Sequence, residues 1–82
     1  NPVNAATIIE YTLSSPQQVN LDIYDSLGRH IRTLENGAQN SGVHRLVWEG
    51  IDENGALVPS GVYVYRLKAG AFSSTRKMLL VK

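Results

Sequence analysis

Apolar and polar side chains alternate along most of this chain, and this period of two is the feature that most constrains its fold. Val19, Leu21 and Ile23 alternate with Asn20 and Asp22, as expected for a strand that buries one face in a core. No segment has the i, i+3, i+4, i+7 spacing of apolar residues that marks an amphipathic helix. The pattern therefore predicts an all-β fold.

Turn signals divide the alternating pattern into six main strands, which we place at residues 9–13, 19–23, 29–34, 43–49, 62–67 and 72–81. Ile31 and Leu34 lie three residues apart, which predicts a bulge or a short edge strand. We expect a loop at residues 35–42 and a minor seventh strand at 56–58. Six to seven strands about ten residues apart are typical of an antiparallel β-sandwich, here one domain over residues 1–82.

Composition excludes several classes of protein. The 82 residues contain no cysteine, so neither disulfides nor thiolate metal sites stabilise the fold. A net charge of +1 predicts no nucleic-acid partner, and no apolar run is long enough for direct membrane insertion. The chain starts without an initiator Met or a signal peptide, so we expect a longer parent whose address signal lies elsewhere.

Charge is distributed unevenly along the chain. Residues 1–53 carry three basic and seven acidic side chains, a net charge of −4, whereas residues 54–82 carry five basic side chains and no acid. The favoured interpretation is that late basic strands lie beside early acidic strands as cross-strand pairs. The alternative is a basic docking edge.

The residues of common catalytic and metal sites are missing. His30 and His44 are the only histidines and lie on separate predicted strands, which disfavours a zinc site and a catalytic base. The segment Asp52-Glu53-Asn54-Gly55 has oxygens suited to calcium, but a turn is the better interpretation. We expect no catalytic, cofactor or metal site, and no enzyme activity.

Aromatic side chains admit a carbohydrate-binding interpretation, because sugar rings stack on exposed aromatic faces. Tyr11, Trp48, Tyr63 and Tyr65 fall on the apolar phase of their strands, which favours a place in the core. Tyr24 is the best candidate for an exposed ring. Two or more aromatic rings coplanar on one open face would support sugar binding, and burial would exclude it.

Several motifs occur together in a familiar order. They are Asn1-Pro2-x-Asn4, Ile9-x-Tyr11-x-Leu13, Val19-x-Leu21-x-Ile23-Tyr24-Asp25-x-x-Gly28-Arg29, Gly42-x-His44-x-Leu46-x-Trp48-x-Gly50, Asp52-x-x-Gly55, Pro59-Ser60-Gly61-Val62-Tyr63-x-Tyr65 and Lys77-Met78-Leu79-Leu80-Val81-Lys82. This series resembles the C-terminal sorting domain of type IX (Por) secretion cargo proteins, and the related immunoglobulin-like domain of flagellar hook-capping proteins. The opening Asn-Pro element and the closing Lys-rich strand favour the sorting domain.

That resemblance implies an immunoglobulin-like β-sandwich that directs an N-terminal passenger domain across the outer membrane of a Gram-negative bacterium. The implied partners are the outer-membrane export machinery and a sortase-like protease, and the passenger would be secreted or held at the cell surface. The residues that the resemblance suggests for recognition are Gly61, Val62, Tyr63, Lys77, Met78, Leu79, Leu80, Val81 and Lys82. Each has a structural alternative: a backbone angle at Gly61, or a place in a buried strand.

Two other functions remain open. A carbohydrate-binding or spacer module of a secreted hydrolase would use the same fold. A flagellar hook-cap domain would be inserted in a longer assembly protein, and a parent that continues past Lys82 would favour it.

Overall fold

Six antiparallel strands in two facing sheets make up the computed structural model, which describes residues 6–82. The strands are β1 (Thr7–Leu13), β2 (Gln17–Asp25), β3 (His30–Gln39), β4 (Gly42–Trp48), β5 (Gly61–Ala69) and β6 (Phe72–Leu80). One sheet has the order β1-β4, and the other has the order β3-β2-β5-β6. The predicted all-β, immunoglobulin-like antiparallel sandwich is confirmed. The Asn1-Pro2-x-Asn4 motif lies outside the described residues.

Alternation along the strands builds the core. Val19, Leu21 and Ile23 are fully buried, and the residues between them turn outward on the other face of β2. Trp48 is also fully buried in the core, and its Nε1 donates a hydrogen bond of 2.9 Å to the carbonyl of Ile51. The other buried apolar side chains are Ile9, Tyr11, Leu13, Val58, Tyr63, Leu67, Ala69 and Leu80.

The edge strand β3 is longer than its sequence predicts. Residues 35–39 of the expected loop continue the ladder and pair with residues 17–21 of β2, so the prediction of a loop at 35–42 was wrong there. Two register shifts lie opposite Leu34 and Ile31, so the predicted bulge is confirmed. Both bulges turn a partly buried side chain toward the core.

The connection after β4 crosses one side of the sandwich. Asp52 accepts backbone hydrogen bonds at Oδ1 from Asn54, 2.9 Å, and from Ala56, 3.0 Å, so its carboxylate shapes a turn, as favoured over a calcium site. Residues 56–58 form no strand, and only an isolated bridge joins Ile51 to Leu57. The predicted seventh strand was wrong.

Candidate binding surface

The residues proposed for recognition come together although they lie in two separate segments. Gly61 pairs with Leu80, Val62 with Leu79 and Tyr63 with Met78 at the start of β5 and the end of β6. Residues 61–63 and 77–82 therefore form one continuous surface, which we call the β5–β6 end.

Strand alternation divides the β5–β6 end into a buried face and an open face. Tyr63 and Leu80 are 4% and 1% exposed and belong to the core, against which Met78 packs. Val62 and Leu79 are 44% and 63% exposed on the outer face. The burial of Tyr63 and Leu80 and the packing of Met78 give these members a structural role in the core. The exposed members, which also include Lys77, Val81 and Lys82, are available to a partner.

A groove of about 270 Å³ lies beside the β5–β6 end. Its other wall is the turn between β2 and β3 and the segment before β5, neither of which was singled out for recognition. The lining residues are Asp25, Ser26, Leu27, Arg29, Ile31, Val58, Pro59, Ser60, Gly61, Val62 and Tyr63. The signal for these additional residues was the motif Asp25-x-x-Gly28, which predicts only a turn.

Asp25 holds the turn that forms this wall. Its Oδ1 accepts the amides of Leu27 and Arg29 at 2.9 Å each, and its Oδ2 lies 2.7 Å from Nε of Arg29. The pKa of Asp25 is lowered, first by the hydrogen bond from the Arg29 amide and then by the Arg29 side chain and the Leu27 amide. These bonds stabilise the charged carboxylate, so the turn stays closed at neutral pH.

Tyr63 fixes the opposite wall. Its hydroxyl donates a hydrogen bond of 2.6 Å to the carbonyl of Pro59, and its ring meets Trp48 edge to face with 5.0 Å between centroids. A tyrosine that bonds back to the chain just before its strand is the tyrosine corner of β-sandwiches. Burial raises the pKa of Tyr63, and the charge of Asp25 raises it further. Tyr63 is therefore a structural residue of the groove.

Basic side chains on the late strands form no ion pairs within residues 6–82. Arg66 lies opposite Asp22 in the register, but Asp22 instead meets His30 at 3.0 Å and Thr33 at 2.6 Å. The ion pairs in this part of the chain join Arg29 to Asp25 and Arg45 to Glu10. Cross-strand pairing among residues 6–82 therefore does not neutralise the basic half. Lys68, Arg76, Lys77 and Lys82 are exposed, whereas Arg66 is half-buried and donates a hydrogen bond of 2.8 Å to the Tyr24 hydroxyl.

The aromatic residues do not form a sugar platform in the part of the chain described. Trp48 and Tyr63 are buried. Tyr24 and Tyr65 are half-buried, and the pairs Tyr24–Val64 and Ile23–Tyr65 place the two rings on opposite faces of the sheet. Tyr24 is also covered by Arg66, whose guanidinium carbon lies 5.3 Å from the ring centroid. This arrangement disfavours the carbohydrate-binding alternative.

Both histidines have structural partners. His44 stacks on Tyr11 with 5.2 Å between centroids, and its Nε2 lies 2.7 Å from the carbonyl oxygen of Asn40. His30 meets Asp22 and the edge of the Tyr24 ring, 5.6 Å away. Residues 6–82 contain no cluster of three potential metal ligands and no helix long and apolar enough to cross a membrane.

Comparison with known proteins identifies relatives over most of the chain. The family model described as the FlgD Ig-like domain matches residues 4–72. Two curated relatives, the "Basal-body rod modification protein FlgD" of Salmonella typhimurium and of Salmonella typhi, are each 39% identical over 62 residues. These matches cover 74% of this chain but only 27% of each relative.

A solved structure has a similar fold. The crystal structure of FlgD from P. aeruginosa superposes with a TM-score of 0.69 at 22% identity, over 92% of this chain and 59% of that one.

These matches overturn the assignment to the type IX sorting domains. The family model that fits is that of the flagellar relative, so the predicted partners, namely the outer-membrane export machinery, the sortase-like protease and an N-terminal passenger, were wrong. The flagellar alternative is the better supported one. The physical reason is that most of the ordered motifs are turn and core residues of the immunoglobulin-like sandwich, which the resemblance gave to both families. The choice between the families therefore depended on the Asn-Pro element and the closing strand alone.

Proposed function

Because this chain belongs to the family of FlgD Ig-like domains, we propose that it is a non-catalytic domain of a flagellar hook-capping and rod modification protein. The observation that carries the proposal is the family match over residues 4–72, together with the 39% identity to rod modification proteins over 62 residues. The chain spans about a quarter of the length of those relatives, 27%. The proposed role is therefore that of one domain in a larger assembly protein, with residues 1–82 acting as a unit.

Exposed and buried groups support an assembly role rather than chemistry. His44 and His30 are held by a backbone carbonyl and a neighbouring carboxylate, and Asp25 and Asp52 are engaged by backbone amides. The conspicuous free features are surfaces: the outer face of the β5–β6 end and the groove beside it. Surfaces of this kind suit protein contacts.

The partners in this proposal are components of the flagellar rod and hook, and the place of action is outside the cytoplasm. The exposed members of the β5–β6 end, Val62, Lys77, Leu79, Val81 and Lys82, remain a predicted recognition surface, now for those components. Their mixture of apolar and basic side chains suits a partner with apolar and acidic groups.

Deletion of this segment from its parent gene tests the proposal. In the source bacterium, a parent lacking residues 1–82 is expected to leave cells without hooks in electron micrographs, and deletion of the whole gene should give the same result. A parent whose segment is replaced by the matching 62 residues of the Salmonella protein is the positive control and should restore hooks. Immunoblots must show the truncated parent at its normal level.

Two results would overturn the proposal. The first is normal hooks and swimming in cells whose truncated parent is present at the normal level. The second is a source organism that builds no flagellum.

A further inference from the structure

The two sides of the sandwich are closed to different degrees. Four strands face two, so both outer strands of the larger sheet extend past the smaller one. On the β3 side the connection after β4 is hydrogen-bonded to β3, although a groove of about 240 Å³ remains there. The Glu53 amide donates a hydrogen bond of 2.9 Å to the Ile31 carbonyl, and Arg32 donates one of 2.9 Å to the Asp52 carbonyl. On the β6 side, no connection among residues 6–82 lines the space between β1 and the inner face of β6.

This open side is a groove of about 260 Å³, which we call the β1–β6 groove. Its lining is about half polar and half apolar, and Phe72 is 59% exposed there, although it pairs with buried Ala69. Arg76 pairs with Tyr65 and therefore lies on the same inner face. The lining residues are Glu10, Tyr11, Thr12, Tyr65, Leu67, Phe72, Ser74 and Arg76.

The wall of the groove is the free edge of β1, which among the described residues lacks the features that usually prevent pairing with another strand. β1 pairs with β4 alone among the described strands, and its seven residues contain no Pro, Gly or Lys and no register shift. Bulges interrupt β3, and Arg76 and Lys77 charge β6, which are the usual devices against edge pairing. The one charge on β1, Glu10, lies 3.5 Å from Arg45 of β4. Among the described strands, the β1 edge therefore lacks these devices and is suited to accept another strand.

We propose that the β1–β6 groove binds an extended segment of another protein, which adds to β1 as a third strand of the smaller sheet. Every second side chain of this segment points toward the larger sheet. The apolar ones cover Phe72 and Tyr65, and a carboxylate among these side chains lies against Arg76. The backbone of β1 supplies hydrogen bonds, as in other strand-addition complexes. This inference goes beyond the proposed flagellar role and does not depend on it.

The charge of Arg76 indicates that one inward-facing side chain of the added segment is acidic. Arg76 is exposed and has no carboxylate within ion-pair distance among residues 6–82, whereas the carboxylate of Glu10 lies 3.5 Å from Arg45 on the outer face of the smaller sheet. A second copy of this chain fits poorly, because the inward phase of its own β1, Ile9, Tyr11 and Leu13, has no carboxylate and is buried in its core.

A synthetic peptide tests the groove directly. The probe is a capped peptide of about nine residues, long enough to span β1, in which Val and Thr alternate and one central Val is replaced by Glu. Titrated into the isotope-labelled chain, it should shift the backbone amide signals of residues 10–12 and 72–76 in nuclear magnetic resonance spectra and slow amide exchange along β1. Shifts confined to β3 or β4, or no shift at about 2 mM peptide, would overturn the proposal.

Backbone methylation separates strand addition from simple adhesion. Along a strand, alternate amides point to the same edge. Methylation of one alternate set should abolish binding, and methylation of the other set should leave the affinity nearly unchanged. Equal affinity of both methylated peptides would refute pairing to β1.

A matched pair of charge variants tests the acidic preference. Arg76→Glu lies in the groove, and Lys77→Glu makes the same charge change on the opposite face. Arg76→Glu should weaken the affinity for the Glu peptide about two- to five-fold and raise the affinity for a peptide with Lys at that position. Lys77→Glu should change neither affinity measurably. Equal weakening by both variants would mean long-range attraction and would overturn the proposal. If Arg76→Glu fails to fold, a comparison of the Glu, Gln and Lys peptides on the unaltered chain decides the same point.

Discussion

Removal of the Tyr63 hydroxyl tests whether this residue serves the fold rather than recognition. In Tyr63→Phe the ring keeps its place, 4% exposed and edge to face with Trp48 at 5.0 Å. Only the hydrogen bond of 2.6 Å to the Pro59 carbonyl is lost. Any change in the free energy of unfolding therefore reports on the tyrosine corner itself.

The expected loss is about 1 kcal/mol, within the usual range for one hydrogen bond. Pro59 as a residue is exposed, so we expect water to replace the lost partner of its carbonyl, without the larger penalty of a buried unpaired oxygen. For a domain of this size the same loss lowers Tm by about 4–8 °C. Tyr65→Phe is the control, because Tyr65 is half-buried on the same face and its hydroxyl bonds to no other described residue. Its free energy of unfolding should change by less than about 0.5 kcal/mol.

Urea unfolding of the three proteins near neutral pH measures these differences, and alkaline pH gives a second check. The pKa of Tyr63 in the fold is raised above 10.0, first by burial and then by the charge of Asp25. Stability from the neutral hydroxyl is complete below pH 10 and falls as pH rises through the folded pKa, because the unfolded chain ionises first. The advantage over Tyr63→Phe should therefore shrink above pH 10. Equal stability of Tyr63→Phe and the unaltered chain would refute the structural role and leave the hydroxyl free for a partner.

Three further changes test other parts of the fold. Gly50→Ala should lower the free energy of unfolding, measured in urea, by about 1–3 kcal/mol, because φ at this position is 72° and the new Cβ would lie 3.1 Å from Leu80. Gly37→Ala is the control and should be nearly neutral, because its new Cβ would meet no atom closer than 3.8 Å. Trp48→Phe should lower the free energy of unfolding by about 1–3 kcal/mol, because it removes the hydrogen bond to the Ile51 carbonyl and leaves a void in the core. A decrease no larger than that of Tyr65→Phe would contradict this prediction. The pKa of Asp25 is lowered in the fold, so its carboxylate stabilises the fold above pH 3.8, and this stability is lost as the pH falls through the folded pKa. Asp25→Asn removes this contribution, so the stability of the variant should fall less steeply at acid pH. Parallel urea midpoints of the two proteins from about pH 5 to pH 2 would exclude that role.

Side-chain periodicity was sufficient to predict the strands that bury one face. In β2 and β4 every second residue points inward, and Leu21 and Trp48 are both fully buried. A one-residue slip would turn a whole strand face into solvent, so the period of two identifies the inward residues without knowledge of the partner strand.

Pairing that depends on distant residues was not predictable in the same way. Residues 35–39 carry loop-like side chains, yet they extend β3 because β2 offers a ladder. Asn36 shows how the pairing is reinforced, since its Oδ1 accepts hydrogen bonds from Gln18, 3.2 Å, and Asn20, 3.1 Å. Local propensity favoured a turn there, and tertiary pairing overrode it.

The candidate surfaces were only partly predictable for a related reason. The β5–β6 end joins two segments that were chosen separately, and the antiparallel register places them side by side. The groove beside it also requires the turn held by Asp25, and the β1–β6 groove depends on how strands are divided between the sheets. Sequence spacing alone contains neither the division of strands nor the gap it leaves beside Phe72.

The mistaken choice between two families follows from what the ordered motifs do in the molecule. Asp25 and Asp52 close turns, Trp48 fills the core and Tyr63 forms the corner. Motifs that serve the fold are shared by families that use the fold, so they predict the architecture and leave the partner open. Partner choice must reside in side chains that the sandwich does not need. Arg76 on the inner face of β6 is one of them, because it has no ion-pair partner among residues 6–82.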